Sequence, residues 1–175
     1  MINFRKAIID DIPLIRELTF EVWPQTYAGI LSPEQIQYML EMMYSSISLQ
    51  KQMEEQHHQF IIGFESEDPV AFASFSAKPD SDNRIWRIHK IYILPGRQGQ
   101  GIGRKIIDYI AAAVIPLGAT ALELNVNRHN PARSFYERIG FSIVGEQDID
   151  IGNGYFMNDY VMELELDRSR AGSPC

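Results

Sequence analysis

Three glycines at alternate positions mark the segment of this sequence with the clearest chemical meaning. Gly99, Gly101 and Gly103 lie in "PGRQGQGIGRK", between a strand-like run and a helix-like run. Glycine has no Cβ atom, so its backbone can approach a ligand closely. The first amides of a helix lack partners within the helix and carry partial positive charge, which suits phosphate oxygens. The spacing therefore predicts a phosphate-binding loop.

Two common phosphate-binding motifs do not fit this loop. The mononucleotide P-loop needs Lys and then Ser or Thr after its second glycine, whereas Ile102 and Gly103 follow Gly101. The dinucleotide motif begun at Gly99 needs glycine or alanine where Arg104 stands. A tight strand-to-helix turn without a ligand is the structural alternative.

The elements around the loop follow from hydrophobic periodicity and from turn residues. An amphipathic pattern after Asp11 and a Ser32-Pro33 capping signal predict two N-terminal helices, and a polar helical stretch follows at about 46–56. Residues 2–8 predict a first strand, and the later strand-like runs begin near Gln59 and end near residue 166. The predicted order is β-α-α-β-β-β-α-β-α-β-β, an α+β fold with a mixed sheet.

Length and composition limit the other possibilities. The 175 residues predict one domain over 1–166, with 167–175 as a flexible tail. A net charge of −7 argues against sequence-independent nucleic-acid binding. No apolar run is long enough for a membrane span or a secretory signal, so no membrane partner and a cytoplasmic location are expected. The only cysteine, Cys175, cannot form an internal disulfide.

Two linked motifs resemble one family. Residues 98–103, "QGQGIG", resemble the Gln/Arg-x-x-Gly-x-Gly/Ala signature of the GNAT superfamily of acetyl-CoA-dependent N-acetyltransferases. "NPARSFYERIGF" at 130–141 resembles the second motif of that family, and the predicted element order is that of its fold. The resemblance covers residues 2–166. It implies the GNAT fold, with a mixed, mostly antiparallel central sheet whose fourth and fifth strands splay apart.

The resemblance also implies how acetyl-CoA, the co-substrate, is held. Backbone groups of the fourth strand pair with pantetheine, and the loop amides hold the pyrophosphate. Arg97 and Arg104 or Lys105 would add charge-assisted bonds to phosphate, or would remain solvated surface cations. The expected cofactor-binding residues are Ile91, Tyr92, Ile93, Arg97, Gln98, Gly99, Gln100, Gly101, Ile102, Gly103, Arg104, Asn130 and Tyr136.

The same resemblance implies roles in catalysis or pantetheine binding for three residues. Tyr136 stands where the family has its general acid for the departing thiolate, although it could instead pack in the core. Asn130 would bond pantetheine and also cap the helix after Pro131. His89, where many relatives have Glu, is the candidate base, with a carboxylate, ordered water or a purely structural histidine as alternatives.

No metal is expected, because the adjacent histidines His57 and His58 lack further ligands.

The N-terminal segment and the last strand resemble the branch with polyamine acetyltransferases of the bacterial PaiA type. Trp23, Tyr27 and Tyr155 would then form an aromatic wall for a cationic amine, unless they belong to the core. Acidic residues of the last hairpin would supply the counter-charges, unless they are only solvated: Glu146, Asp148, Asp150 or Asp159.

The predicted function is transfer of an acetyl group from acetyl-CoA to a primary amine by direct attack in a ternary complex, with a small-molecule amine as partner. Protein N-terminal or lysine acetylation and a non-catalytic acyl-CoA sensor are the alternatives. Exposed strands at the end of the sheet would allow a homodimer.

Overall fold

The computed structural model describes residues 1–167, in two compact units. Unit 1 consists of Met1–Ser76 and Lys90–Ile106, and unit 2 consists of Ala77–His89 and the described part of Ile107–Cys175. The predicted tail, including Cys175, lies outside the described residues except for Asp167. The single-domain assignment for 1–166 stays a prediction. No helix in residues 1–167 has the length and apolar character that a membrane crossing requires.

The described chain contains five α-helices, two 3-10 helices and seven strands. The helices are α1 Ile12–Tyr27, α2 Pro33–Tyr44, α3 Ser46–Glu54, α4 Ile102–Val114 and α5 Ala132–Ile139, and the 3-10 helices are Ile9–Asp11 and Ile115–Leu117. The strands are β1 Ile2–Lys6, β2 Gln59–Glu65, β3 Asp68–Ala77, β4 Ile85–Ile93, β5 Ala121–Asn127, β6 Ser142–Gly152 and β7 Tyr155–Glu165. This order matches the predicted one with one addition, because the polar helical stretch predicted at about 46–56 forms a third N-terminal helix, α3.

Unit 1 combines the three N-terminal helices with β1, β2, β3 and the end of β4. The first three strands are antiparallel, and the Leu94 amide after β4 donates to the Val70 carbonyl of β3 at 2.9 Å. As predicted, Ser32 caps α2, since its Oγ accepts from the Gln35 amide at 3.1 Å and Pro33 occupies the first turn. Asp11 lies at the N-terminal end of α1 but its side chain does not cap the helix, because it accepts from the Ile8 amide and binds Arg5.

Unit 2 contains the parallel step of the sheet. The start of β4 runs parallel to β5, from Ile85 beside Ala121 to Ile88 beside Leu124, and β7 is antiparallel to both β5 and β6. The strand order is β1-β2-β3-β4-β5-β7-β6. The predicted α+β fold with a mixed, mostly antiparallel sheet is confirmed. Only the first four residues of β4 are paired with β5, and the last five residues of β4 are not. This pairing is what a separation of the two strands after residue 88 requires.

A buried ion cluster joins the strands of unit 2 where β4 and β5 are paired. Glu123 is 3% exposed, and its carboxylate accepts from Lys78 at 2.7 Å and from Arg87, its direct neighbour on β4. Burial alone would raise the pKa of Glu123, but the hydrogen bonds from Lys78 and Arg87 outweigh it and lower the pKa. The carboxylate is therefore ionised at neutral pH and holds two cations.

Replacing this carboxylate should destabilise the fold. Glu123→Gln leaves two cations beside a neutral buried group, so we expect the free energy of unfolding at pH 7 to fall by about 3 kcal/mol in chemical denaturation. Because the folded-state pKa of Glu123 is lowered, the contribution is complete at neutral pH and is lost on acidification. Glu55→Gln, which removes an exposed ion pair with Lys51, is the control and should cost less than about 1 kcal/mol. Equal effects of the two variants would contradict the assignment.

Candidate active site

The loop after β4 has the backbone conformation that only glycine adopts readily. Gly96, Gly99 and Gly101 have φ angles of +82°, +77° and +78°, and a Cβ atom built on each would meet no other atom within 4 Å. The glycines are thus required by conformation, and the space beside them is open. Gly103 differs from the other two glycines of the predicted triad, because it lies buried inside α4.

Helix α4 presents unpaired amides directly after this loop. The Lys105 amide donates to the Gly101 carbonyl at 3.2 Å, which is the first i to i−4 bond of the helix. The amides of Ile102, Gly103 and Arg104 therefore have no acceptor within the helix. These amides and the open space beside the glycines fit a diphosphate, as the sequence predicted.

Two glutamines of the loop hydrogen-bond to its own backbone. Gln98 Nε2 donates to the Ile93 carbonyl at 3.3 Å, and Gln100 Nε2 donates to the Gly96 carbonyl at 3.2 Å. The Arg97 amide also donates to the Leu94 carbonyl at 3.0 Å. The side chains of Gln98 and Gln100 therefore brace the loop, which leaves ligand contact to the backbone.

The three cations predicted to bind phosphate differ in their surroundings. Arg97 is already paired with Glu65 of β2, with 2.8 Å between Nη1 and Oε2. Arg104 and Lys105 are exposed, and neither has an ion-pair partner within residues 1–167. Of the three, only Arg104 and Lys105 can meet a phosphate without losing a carboxylate partner.

An aromatic cluster lies in unit 1 around the end of β4. We use this name for Trp23, Tyr27, Tyr44, Phe72 and Tyr92. The ring centroid of Trp23 is 4.5 Å from that of Tyr27, 5.6 Å from that of Tyr44 and 6.1 Å from that of Tyr92. The hydroxyl groups of Tyr27 and Tyr92 are 3.4 Å apart. Tyr92 thus has two separate roles to fill. Its backbone is predicted to pair with pantetheine, and its side chain lies inside the cluster.

Two members of the predicted amine-binding wall, Trp23 and Tyr27, belong to this cluster and differ in their exposure. Trp23 is 1% exposed and is packed on three tyrosine rings, so its indole belongs to the core. Tyr27 is half-buried at the end of α1. Tyr27 is therefore the better placed of the two to meet a ligand, and a direct role for Trp23 would require the surrounding rings to move.

A buried lysine on β4 was missed in the sequence. Lys90 is 8% exposed, its Nζ donates to Gln52 Oε1 at 2.6 Å, and Nζ lies 5.4 Å from the ring centroids of both Tyr44 and Phe60. Burial lowers its pKa to about 7. Burial and the Lys90 charge together lower the pKa of His58 to about 4. The charge of Lys90 therefore changes near neutral pH.

The residues predicted to do the chemistry lie in unit 2. Tyr136 of α5 is 9% exposed, with its ring centroid 5.2 Å from that of Phe135 and 5.6 Å from that of Phe141. Asn130 Oδ1 accepts from the Ala132 amide at 2.9 Å, which confirms the capping of α5. His89 and Tyr155 are both half-buried. The catalytic, cofactor and acceptor roles of these residues stay predictions.

The residues that the structure describes contain no group of three or more His, Cys, Asp or Glu side chains arranged to hold a metal ion.

Comparison with known families decides the assignment. Residues 27–164 match the acetyltransferase (GNAT) domain family, and they include β4, the glycine loop, α4 and α5. The chain belongs to this family. The predicted GNAT resemblance is thereby confirmed.

Individual relatives agree with the family. An uncharacterized N-acetyltransferase of Mycobacterium tuberculosis is 36% identical over 86 residues, which are 49% of this chain and 54% of that protein, so the chain spans about half the length of this curated relative. Spermidine N(1)-acetyltransferase of Thermoplasma acidophilum is 25% identical over 95% of this chain and 98% of that protein. The crystal structure of the PaiA N-acetyltransferase of Thermoplasma acidophilum in complex with coenzyme A has a TM-score of 0.78 and 25% identity, covering 94% of this chain and 99% of that chain. A PaiA-like GNAT protein is therefore supported.

A methyl group at Gly101 should impair cofactor binding. Gly101→Ala forces alanine to a φ of +78° and places Cβ in the open space beside the α4 amides, so we expect the Kd for coenzyme A to rise at least about tenfold in calorimetry. Gly118→Ala is the matched control, because Gly118 also has positive φ and open space but follows the end of α4. It should lose stability without losing affinity. If Gly101→Ala binds coenzyme A with the wild-type Kd, the glycine loop is not part of the binding site.

Lys90 should impose a pH dependence on stability. The folded protein loses this proton near pH 7, whereas the unfolded chain keeps it up to about 10.5, so the lysine increasingly favours the folded state as pH rises between these values. From pH 7 to pH 9, wild type should gain about 2 kcal/mol in free energy of unfolding relative to Lys90→Met. Lys51→Met, on the exposed side of α3, is the control and should show no such change. Parallel pH profiles for wild type and Lys90→Met would show that the Lys90 pKa is not lowered.

Proposed function

We propose that this chain is an acetyl-CoA-dependent N-acetyltransferase that acetylates a small cationic amine, with polyamines as the foremost acceptor class. Family membership supports N-acetyl transfer. The single observation that carries acetyl-CoA dependence is the set of unpaired α4 amides beside three positive-φ glycines. The likeness to a PaiA structure with coenzyme A and to a spermidine acetyltransferase supports both the cofactor and the acceptor class.

Binding of the cofactor would rest mainly on backbone groups. The amides from Ile102 to Arg104 would donate to the pyrophosphate, with Arg104 and Lys105 adding charge-assisted bonds. Backbone groups of Ile91, Tyr92 and Ile93 would pair with the pantetheine arm. Acetyl-CoA would supply an activated acetyl group as a thioester.

Side chains of unit 2 would act as the general base and the general acid of the acetyl transfer. The acceptor amine, with an ordinary pKa near 10, must lose a proton before it attacks, and His89 would take that proton directly or through water. Tyr136 would hold a proton on its hydroxyl for the departing thiolate, because a phenol is protonated at neutral pH. A backbone amide near Ile91 would donate to the oxygen that gains charge.

Turnover measurements test the enzyme and its acid together. Purified protein is incubated with acetyl-CoA and separate polyamines, amino acids, aminoglycosides and peptides, and thiol release is followed. We expect turnover with polyamines, and Tyr136→Phe should reduce kcat at least about a hundredfold while the Kd for coenzyme A stays unchanged. Tyr109→Phe, at a partly exposed position on α4, is the control and should retain wild-type kcat.

Each alternative function predicts a different result in this assay. Turnover with peptides alone would support a protein acetyltransferase. Stabilisation by coenzyme A without turnover for any amine would support an acyl-CoA sensor. Full activity of Tyr136→Phe would exclude Tyr136 as the acid.

A further inference from the structure

A group of buried polar atoms without partners lies on β5 and β7 in unit 2. Asp159 of β7 is 2% exposed, and its Oδ2 has no hydrogen-bond partner within residues 1–167. Asn125 Oδ1 and Arg128 Nε, on β5 and just after it, are also buried without partners in the described chain. Buried polar groups in proteins are almost always paired with protein, water or ligand. Three unpaired atoms in one region therefore indicate that a polar ligand or water belongs there.

The strand register places these side chains together. Asp159 lies opposite Asn127 on one side and opposite Gln147 of β6 on the other. Opposite residues of antiparallel strands share a face of the sheet, and so do residues two apart, so Asn125 shares that face. Asn125 Nδ2 donates to Gln147 Oε1 at 3.1 Å, which fixes the amide and leaves its carbonyl without a donor. The two unpaired oxygens therefore accept hydrogen bonds and offer none.

The charges around Asp159 are predominantly negative. The nearest cation, Arg128, is engaged by partly exposed carboxylates, at 3.0 Å from Asp148 and 3.6 Å from Glu146. The other cation beside this region, Arg133, is paired with Glu137. Arg128 is thus paired with two carboxylates, and Asp159 has no ion pair within the described chain. Burial, with a smaller contribution from Asp148, raises the pKa of Asp159 to about 6, while a hydrogen bond from Asn125 and the charge of Arg128 act to lower it.

We infer that Asp159 and Asn125 bind the non-reacting ammonium group of a diamine or polyamine acceptor. This inference rests on the proposed function for the identity of the ligand as acceptor. An ammonium group has three donors and no acceptor, which complements the two unpaired oxygens. Its charge also balances a carboxylate that has no ion pair within the described chain.

The position of the subsite fits an acceptor of this reaction. Asn127, opposite Asp159, accepts from the Asn130 amide at 2.9 Å, and Asn130 is the residue expected to bond pantetheine. The predicted pantetheine contact therefore lies in the turn that directly follows Asn127, the β5 residue opposite Asp159. A second ammonium group on the acceptor distinguishes a polyamine from a monoamine, so Asp159 would determine specificity.

The test compares Asp159→Asn with wild type, using spermidine and n-butylamine as probes. Without acetyl-CoA, the Kd for spermidine in calorimetry should rise at least about tenfold in Asp159→Asn, because a hydrogen bond to a charged group is lost. In turnover, KM for spermidine should rise by a similar factor with a smaller change in kcat. The constants for n-butylamine should stay within about twofold, because this monoamine has no second ammonium group.

Two controls separate binding from folding. Glu55→Gln removes an exposed carboxylate of unit 1 and should leave the Kd for spermidine unchanged. The thermal midpoint of Asp159→Asn should match or exceed that of wild type at pH 7.5, because the variant no longer keeps a buried charge. If the midpoint falls instead, Asp159→Glu, which retains the charge, should bind spermidine more tightly than Asp159→Asn.

The outcomes distinguish the inference from the proposed function. Unchanged spermidine binding in Asp159→Asn overturns the inference. So does a lack of spermidine binding by wild type at about 10 mM, which is well above the usual upper KM of about 1 mM. Turnover with amines in that case would still support the enzyme. Asp159-dependent spermidine binding without any turnover supports the subsite and overturns the proposed function.

Discussion

The unpaired amides at the start of α4 are the constraint on which the proposed chemistry depends. They exist because a helix cannot satisfy its own first N–H groups, and they are accessible because the preceding glycines carry no side chain. Their position is fixed by burial of the helix behind them, since Ile106, Ile107 and Ile110 are almost fully buried. A site made of backbone needs no particular side chain for phosphate, and this explains why the loop glutamines are free to brace the loop.

Turn, capping and periodicity rules correctly predicted the features that depend on neighbouring residues alone. The glycine spacing gave the loop, Ser32-Pro33 gave the start of α2, and Gly140, with a φ of +118°, ends α5 as its position suggested. The order of strands and helices followed from periodicity. The same rules could not separate the two uses of an aromatic residue, so the sequence left Trp23 either in an amine-binding wall or in the core, and the structure buries it in unit 1.

The buried titratable groups could not be predicted from the sequence. In "RIHKIYI", alternation marks which residues share a face but not which face is covered, so His89 drew attention and Lys90 did not. The lowered pKa of Lys90 arises from residues far away in sequence, because Gln52 and Tyr44 come from α3 and the end of α2. Asp159 was only one of four acidic candidates in the final hairpin. Its distinction is burial with one carboxylate oxygen unpaired within the described residues, which only the three-dimensional arrangement reveals.

The two ligands expected here call for opposite electrostatics, and the chain uses different groups for each. A diphosphate would be met mainly by backbone dipoles, because the charge of Arg97 is already balanced by Glu65. An ammonium group would be met by a side-chain carboxylate, that of Asp159, which is buried with one oxygen unpaired within the described residues. Backbone dipoles do not add net charge, so the protein can bind an anion while keeping a net charge of −7, which attracts cationic amines. An arginine-rich phosphate site would have opposed that attraction, and the use of amides avoids the conflict.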